Sequence, residues 1–76
     1  MDKNEERYGK IGLRIAYYRK YRHLTQERLA EQANTTAGNI SNIETRSVPI
    51  SLAMLFALAD AMDIPPYKLL QFDDLP

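Results

Sequence analysis

The chain has 76 residues, 45% of them hydrophobic and 26% charged, and its ten Lys and Arg offset ten Asp and Glu to a formal net charge of zero. That length supports one small domain, which buries about 60% of its unfolded surface and leaves no room for a second. With no cysteine in the chain there is no disulfide framework or thiolate metal site, and no apolar run approaches the ~20 residues of a membrane span.

The charge is unevenly spread. Residues 1–24 carry seven basic against three acidic residues, a net +4; residues 25–48 carry two against three, a net −1; residues 49–76 carry one against four, a net −3. Such polarity suits a molecule with one face towards phosphate and another towards solvent or a partner, although charges also serve simply to solvate a small domain. The charged N-terminus lacks the apolar stretch of a signal peptide, so a soluble, cytoplasmic protein is expected.

Residues 1–7 are polar, without an apolar anchor, and are expected to form a flexible arm. From Tyr8 to Arg22, Ile11, Ile15 and Tyr18 recur at four and three, which predicts an amphipathic helix. Gly9 and Gly12 weaken its start by roughly 1 kcal/mol each relative to Ala, and Gly12 suits a place where another helix approaches closely. Tyr17 and Tyr21 lie one turn apart, off the main strip, either packing at the core edge with their hydroxyls in water or contacting nucleic acid. His23, the only histidine, has no second His or Cys with which to complete a metal site.

Leu24 to Glu44 reads as two short helices around a tight turn. Thr25 can cap the first, and Leu29, Ala30 and Ala33 form its apolar strip. Asn34 tolerates the left-handed conformation that ends a helix. Thr36 caps the second, on which Ile40 and Ile43 recur at three residues, leaving the other face uncovered. This is helix-turn-helix geometry, with the second helix presented to a groove. Ala37, Gly38, Asn39, Ser41 and Asn42 then point outwards: Asn42 can make the paired contact that selects adenine, Ala37 can touch a thymine methyl, and Gly38 offers no side chain.

After this pair comes T-R-S-V-P-I, residues 45–50. Arg46 and Ser47 there can hold a phosphate or be merely solvated. Ser51 caps a helix carrying Leu52, Leu55, Leu58, Ala59 and Met62, with Met54 and Phe56 widening its apolar face. Ile64-Pro65-Pro66 breaks the chain, and Tyr67–Phe72 makes a last short helix with Leu69 and Leu70 inward. Residues 73–76 form a tail.

Taken in order, L-T-Q-E-R-L-A-E-Q, T-T and I-S-N-I-E resemble the Cro and phage-repressor (XRE-type) helix-turn-helix DNA-binding domains, and the likeness extends from Ile11–Arg19 to Ser51–Leu70. It implies an all-α, lambda-repressor-like bundle of five short helices over residues 8–72. The implied function is a sequence-specific regulator, a repressor, that binds double-stranded DNA as a homodimer, without cofactor or small-molecule ligand. Positions matching Ala37, Gly38 and Asn42 read bases in relatives, and Gln26 matches a phosphate clamp supported by Arg28 and Thr36. Arg28 stands where relatives often carry the glutamate of a capping box, and Arg46 where they usually carry glycine in a left-handed turn. The resemblance further implies an ion pair between Arg19 and Glu44, and a dimer contact for which Tyr67, Leu70 and Phe72 are the candidates, unless they close the monomer's own core.

Two other functions are weighed against this one. A protein-interaction or antitoxin-like module would keep the fold without strong DNA binding, and the neutral charge and small reading residues favour it. An enzyme finds no support, since no nucleophile sits with a base and no phosphate-cradling glycine loop occurs.

Overall fold

The structure is a computed structural model that describes residues 2–72. Four helices follow one another, α1 (Lys3–Tyr21), α2 (Gln26–Gln32), α3 (Ala37–Thr45) and α4 (Leu52–Ala61), before a 3-10 helix over Pro66–Leu70. The described residues include no strand. The all-α expectation holds, but the fifth helix is a 3-10 turn that ends at Leu70, leaving Phe72 beyond it.

Each start signal acts within one turn of its helix. Thr25, Thr36 and Ser51 are extended, and each accepts a hydrogen bond from the backbone N–H three residues on, in Arg28, Asn39 and Met54. Those bonds satisfy N–H groups that have no partner inside the helix. Asp2 does the same for α1 by accepting from Glu5. Residues 3–7 are therefore helical, which corrects the expected arm: the cap and the acidic first turn at Glu5 and Glu6 stabilise the start where no apolar anchor exists. Met1 and the expected tail at 73–76 lie outside the described residues.

All four helices end the same way. Past their C-caps, His23, Asn34, Ser47 and Asp63 take the left-handed conformation, with φ of 58°, 59°, 53° and 55°. None is glycine. After α3 the positive φ falls on Ser47, while Arg46 stays at −120°, so the turn differs from one with a left-handed residue at 46 and Arg46 is not strained.

The core gathers Ile11, Ile15, Leu29, Ile40, Ile43, Leu55, Leu58, Met62 and Leu69 with the small Ala30, Ala33 and Ala59. α3 packs between α1 and α2, while the 3-10 helix packs on α1 and α4. Gly12 is where α1 meets α3, for a Cβ there would collide with the carbonyl oxygen of Ile43. Leu52, assigned to the inner strip of α4, is exposed instead: it occupies the first turn, at the end of the helix, where nothing covers it.

Candidate nucleic-acid interface

α3 has two unlike sides. Ile40 and Ile43 are 0% and 4% exposed, whereas Gly38, Asn42 and Thr45 on the far side are open to solvent. Ala37, Asn39 and Ser41 are half-buried at the flanks. The Asn39 amide donates to Thr35 Oγ1 at 2.9 Å, so this side chain is fixed to the turn and one of its donors is taken. Thr45 Oγ1 donates to the Ser41 carbonyl at 2.7 Å, which reinforces the last turn of α3.

The orientation of α3 is set by a polar cluster behind it. Arg19 donates Nε to Glu44 Oε2 at 2.7 Å and Nη2 to Oε1 at 3.1 Å, and its Nη1 donates to the Leu24 carbonyl at 2.7 Å. One guanidinium thus joins α1, the loop before α2 and the end of α3. The fork geometry matches a carboxylate and gives this pair direction as well as strength.

Gln26 enters the same cluster. Its Nε2 donates to Glu44 Oε1 at 3.0 Å, so one of its two N–H donors is held inside the protein. The sequence shows Gln26 as a polar residue at a helix start, but a partner 18 positions away is invisible to local reading.

The remaining phosphate candidates divide by exposure. Arg28 lies 3.5 Å from Glu31, but both side chains are largely solvated, so the pair is worth little and leaves Arg28 free to swing. Thr36 and Arg46 are exposed. Ser47 is half-buried, and its Oγ faces Gly9 of α1 at 2.8 Å from where a Cβ would stand. Its hydroxyl thus lies apart from the open side of α3. Glu5, Glu6, Lys10, Glu44, Thr45 and Ser47 line one shallow cleft, so carboxylates outnumber the single ammonium beside the end of α3.

Away from α3, Tyr67 and Leu70 are 57% and 47% exposed, while Phe72 packs against the chain's own core with the Lys10 ammonium 5.6 Å from its ring centre. Of the three dimer candidates, two are therefore free to meet a partner. Among the described residues, no group of three or more His, Cys, Asp or Glu is placed to hold a metal ion, and no helix is long and apolar enough to cross a membrane.

Sequence reading missed Arg14. It is 2% exposed, and the signal was present: it stands three residues after Ile11 and next to Ile15, on the buried side of α1.

These features define a compact helical domain with one outward-facing short helix held by a buried ion pair. A helix-turn-helix family model matches residues 15–69, and the chain belongs to this family, in its XRE/Cro-type branch. The restriction-modification controller protein C.AhdI from Aeromonas hydrophila is similar over 82% of this chain and 94% of its own, with 31% identity and a TM-score of 0.78. A hypothetical transcription factor, NHTF from Neisseria, shares the fold with a TM-score of 0.80 over 92% of this chain and 80% of its own, at 21% identity. No curated protein sequence matches.

Proposed function

We propose that the protein is a sequence-specific DNA-binding transcription regulator that places α3 in the major groove and represses by occupying an operator as a homodimer. The observation that carries this reading is the two-sidedness of α3, with Ile40 and Ile43 sealed and Gly38 and Asn42 open. Family membership and the likeness to a restriction-modification controller over most of its length support regulation by a chain of this size. Asn42, Ala37 and Ser41 supply base contacts, with Gly38 letting the backbone approach and Asn39 assisting from the flank. Arg28, Arg46, Thr36 and the second N–H of Gln26 meet phosphates, with Ser47 a lesser contributor. With so few long side chains on the reading face, DNA shape carries much of the selectivity.

Selection from a random duplex pool tests this reading. Enrichment of a two-fold symmetric sequence with half-sites about one helical turn apart is expected. Log affinity should fall with log salt at a slope of about −0.9 per phosphate neutralised. If no duplex is retained at ~50 mM salt, the DNA reading is lost.

A second reading, a protein-binding module, is favoured by Leu52, Phe56, Tyr67 and Leu70, all large, apolar or aromatic, and exposed. Retention of a duplex in that assay separates the two.

A further inference from the structure

Arg14 poses a problem that neither the core nor the α3 face solves. Its side chain is almost wholly removed from water, its Nε donates to the Gln71 carbonyl at 2.9 Å, and its Nη2 has no hydrogen-bond partner. Among the described residues no carboxylate pairs with it. A buried charge without a counter-charge costs several kcal/mol, and an anion arriving from outside would offset that cost.

Arg14 lines a cleft of about 470 Å³ between α1 and the 3-10 helix. That volume falls within the range of small-molecule sites. Two more cations, Arg22 and Lys68, line it against the single carboxylate of Asp63. Its wall is aromatic, with Tyr17 and Tyr21 stacked at 6.4 Å between centroids and 15° between planes. Tyr18 meets Tyr17 edge-on at 5.0 Å, and the Arg22 guanidinium lies 5.7 Å from the Tyr21 ring. Tyr17 and Tyr21 are 40% and 64% exposed, so aromatic surface is open beside the buried cation.

We propose that this cleft binds a small molecule joining one oxyanion, a carboxylate or a phosphate, to a flat aromatic body. The oxyanion sits towards Arg14 between Lys68 and Arg22, and the ring lies along the tyrosines. Asp63 at the rim disfavours a second negative group nearby. The site goes beyond the DNA reading and does not depend on it. Gly12 and Arg19 turn towards α3, and residues 14 and 21, each two positions further on, lie about 200° round the helix from them. A ligand here leaves the duplex face free and would add a small-molecule partner to the expected DNA and second copy.

The test is amide NMR on the full chain, titrated with benzoate, phenyl phosphate and uncharged benzyl alcohol. Saturable shifts at Tyr17, Tyr21, Lys68 and Gln71 with either anion, and none with benzyl alcohol, are expected; the anion that binds more tightly identifies the oxyanion. Lys68→Ala and Arg22→Ala, both at the rim, should each weaken binding by about tenfold, the change that ~1.4 kcal/mol represents. Arg14→Gln should abolish binding, and if it does not fold the two rim variants decide alone. The proposal fails if neither anion saturates, if benzyl alcohol binds equally well, if the rim variants bind unchanged, or if the shifts fall on residues 36–47.

Discussion

Arg19 on α1 and Glu44 at the end of α3 form a forked ion pair whose side chains are 11% and 4% exposed. Glu44 also accepts from Gln26, so its loss strands a buried guanidinium and frees the start of α2. Glu44→Ala should cost ~3 to 5 kcal/mol. Urea denaturation measures this, and a loss below ~1 kcal/mol would show the pair to be incidental. Replacing both partners by apolar residues of similar volume should recover much of the loss, because no charge is then left buried.

Gly12 and Gly9 provide a matched comparison on one helix. A Cβ on Gly12 meets the backbone of Ile43, which cannot move without shifting α3, so Gly12→Ala should destabilise by ~1 to 3 kcal/mol or more. A Cβ on Gly9 meets only the Ser47 hydroxyl, which can rotate away. There the gain in helix propensity, up to ~1 kcal/mol, should leave Gly9→Ala near neutral. Equal losses in thermal melts of the two variants would contradict this account of how α1 and α3 approach.

Gly38 stands in the open, with only Thr36 Oγ1 at 4.0 Å from a would-be Cβ, and its φ is not positive. Gly38→Ala should stabilise the fold by ~0.5 to 1 kcal/mol by narrowing the unfolded ensemble and favouring helix. A drop in melting temperature would mean that the surface over α3 is not open.

Asn42→Ala should relax sequence selection at one base pair per half-site, at ~1 to 3 kcal/mol there, while leaving the salt slope unchanged. Arg28→Ala should do the reverse, lowering affinity across all sequences and reducing the slope by about one. Comparing selected pools and salt titrations for the two variants checks both. An unaltered preference in the first would place the reading face elsewhere.

Tyr67→Lys and Leu70→Lys change exposed positions and should leave the helical circular dichroism intact. If these residues meet across a two-fold axis, both variants should sediment as monomers and lose operator affinity. Wild-type protein that is already monomeric at ~100 µM, well above affinities typical of specific pairs, would remove the dimer contact from the reading.

What could be read from the sequence was local. Thr25, Thr36, Ser51 and Asn34 announce helix ends because each acts within one turn of itself, and Ile40 and Ile43 show their burial through spacing. Asp2 was missed because a cap followed by a polar run lacks the apolar period that marks a helix. The arginine at position 46, where relatives usually carry glycine, leaves open whether the turn differs or the residue is strained, and only the backbone, with its positive φ at Ser47, decides for a different turn. Gln26 and Arg14 depend on partners far along the chain, Glu44 and Gln71, and periodicity carries no information about such pairings.

The four left-handed residues at the helix ends have an engineering consequence. At His23, Asn34, Ser47 and Asp63 an L side chain occupies a conformation that glycine takes without steric conflict. Their side chains could be removed one joint at a time, and since the joints are separate from one another the gains should accumulate. At His23 and Asn34, which take no part in the open side of α3 or in the Arg14 cleft, a sturdier version of this regulator is thus reachable by editing helix ends alone, whereas Ser47 and Asp63 also serve the proposed phosphate and ligand contacts.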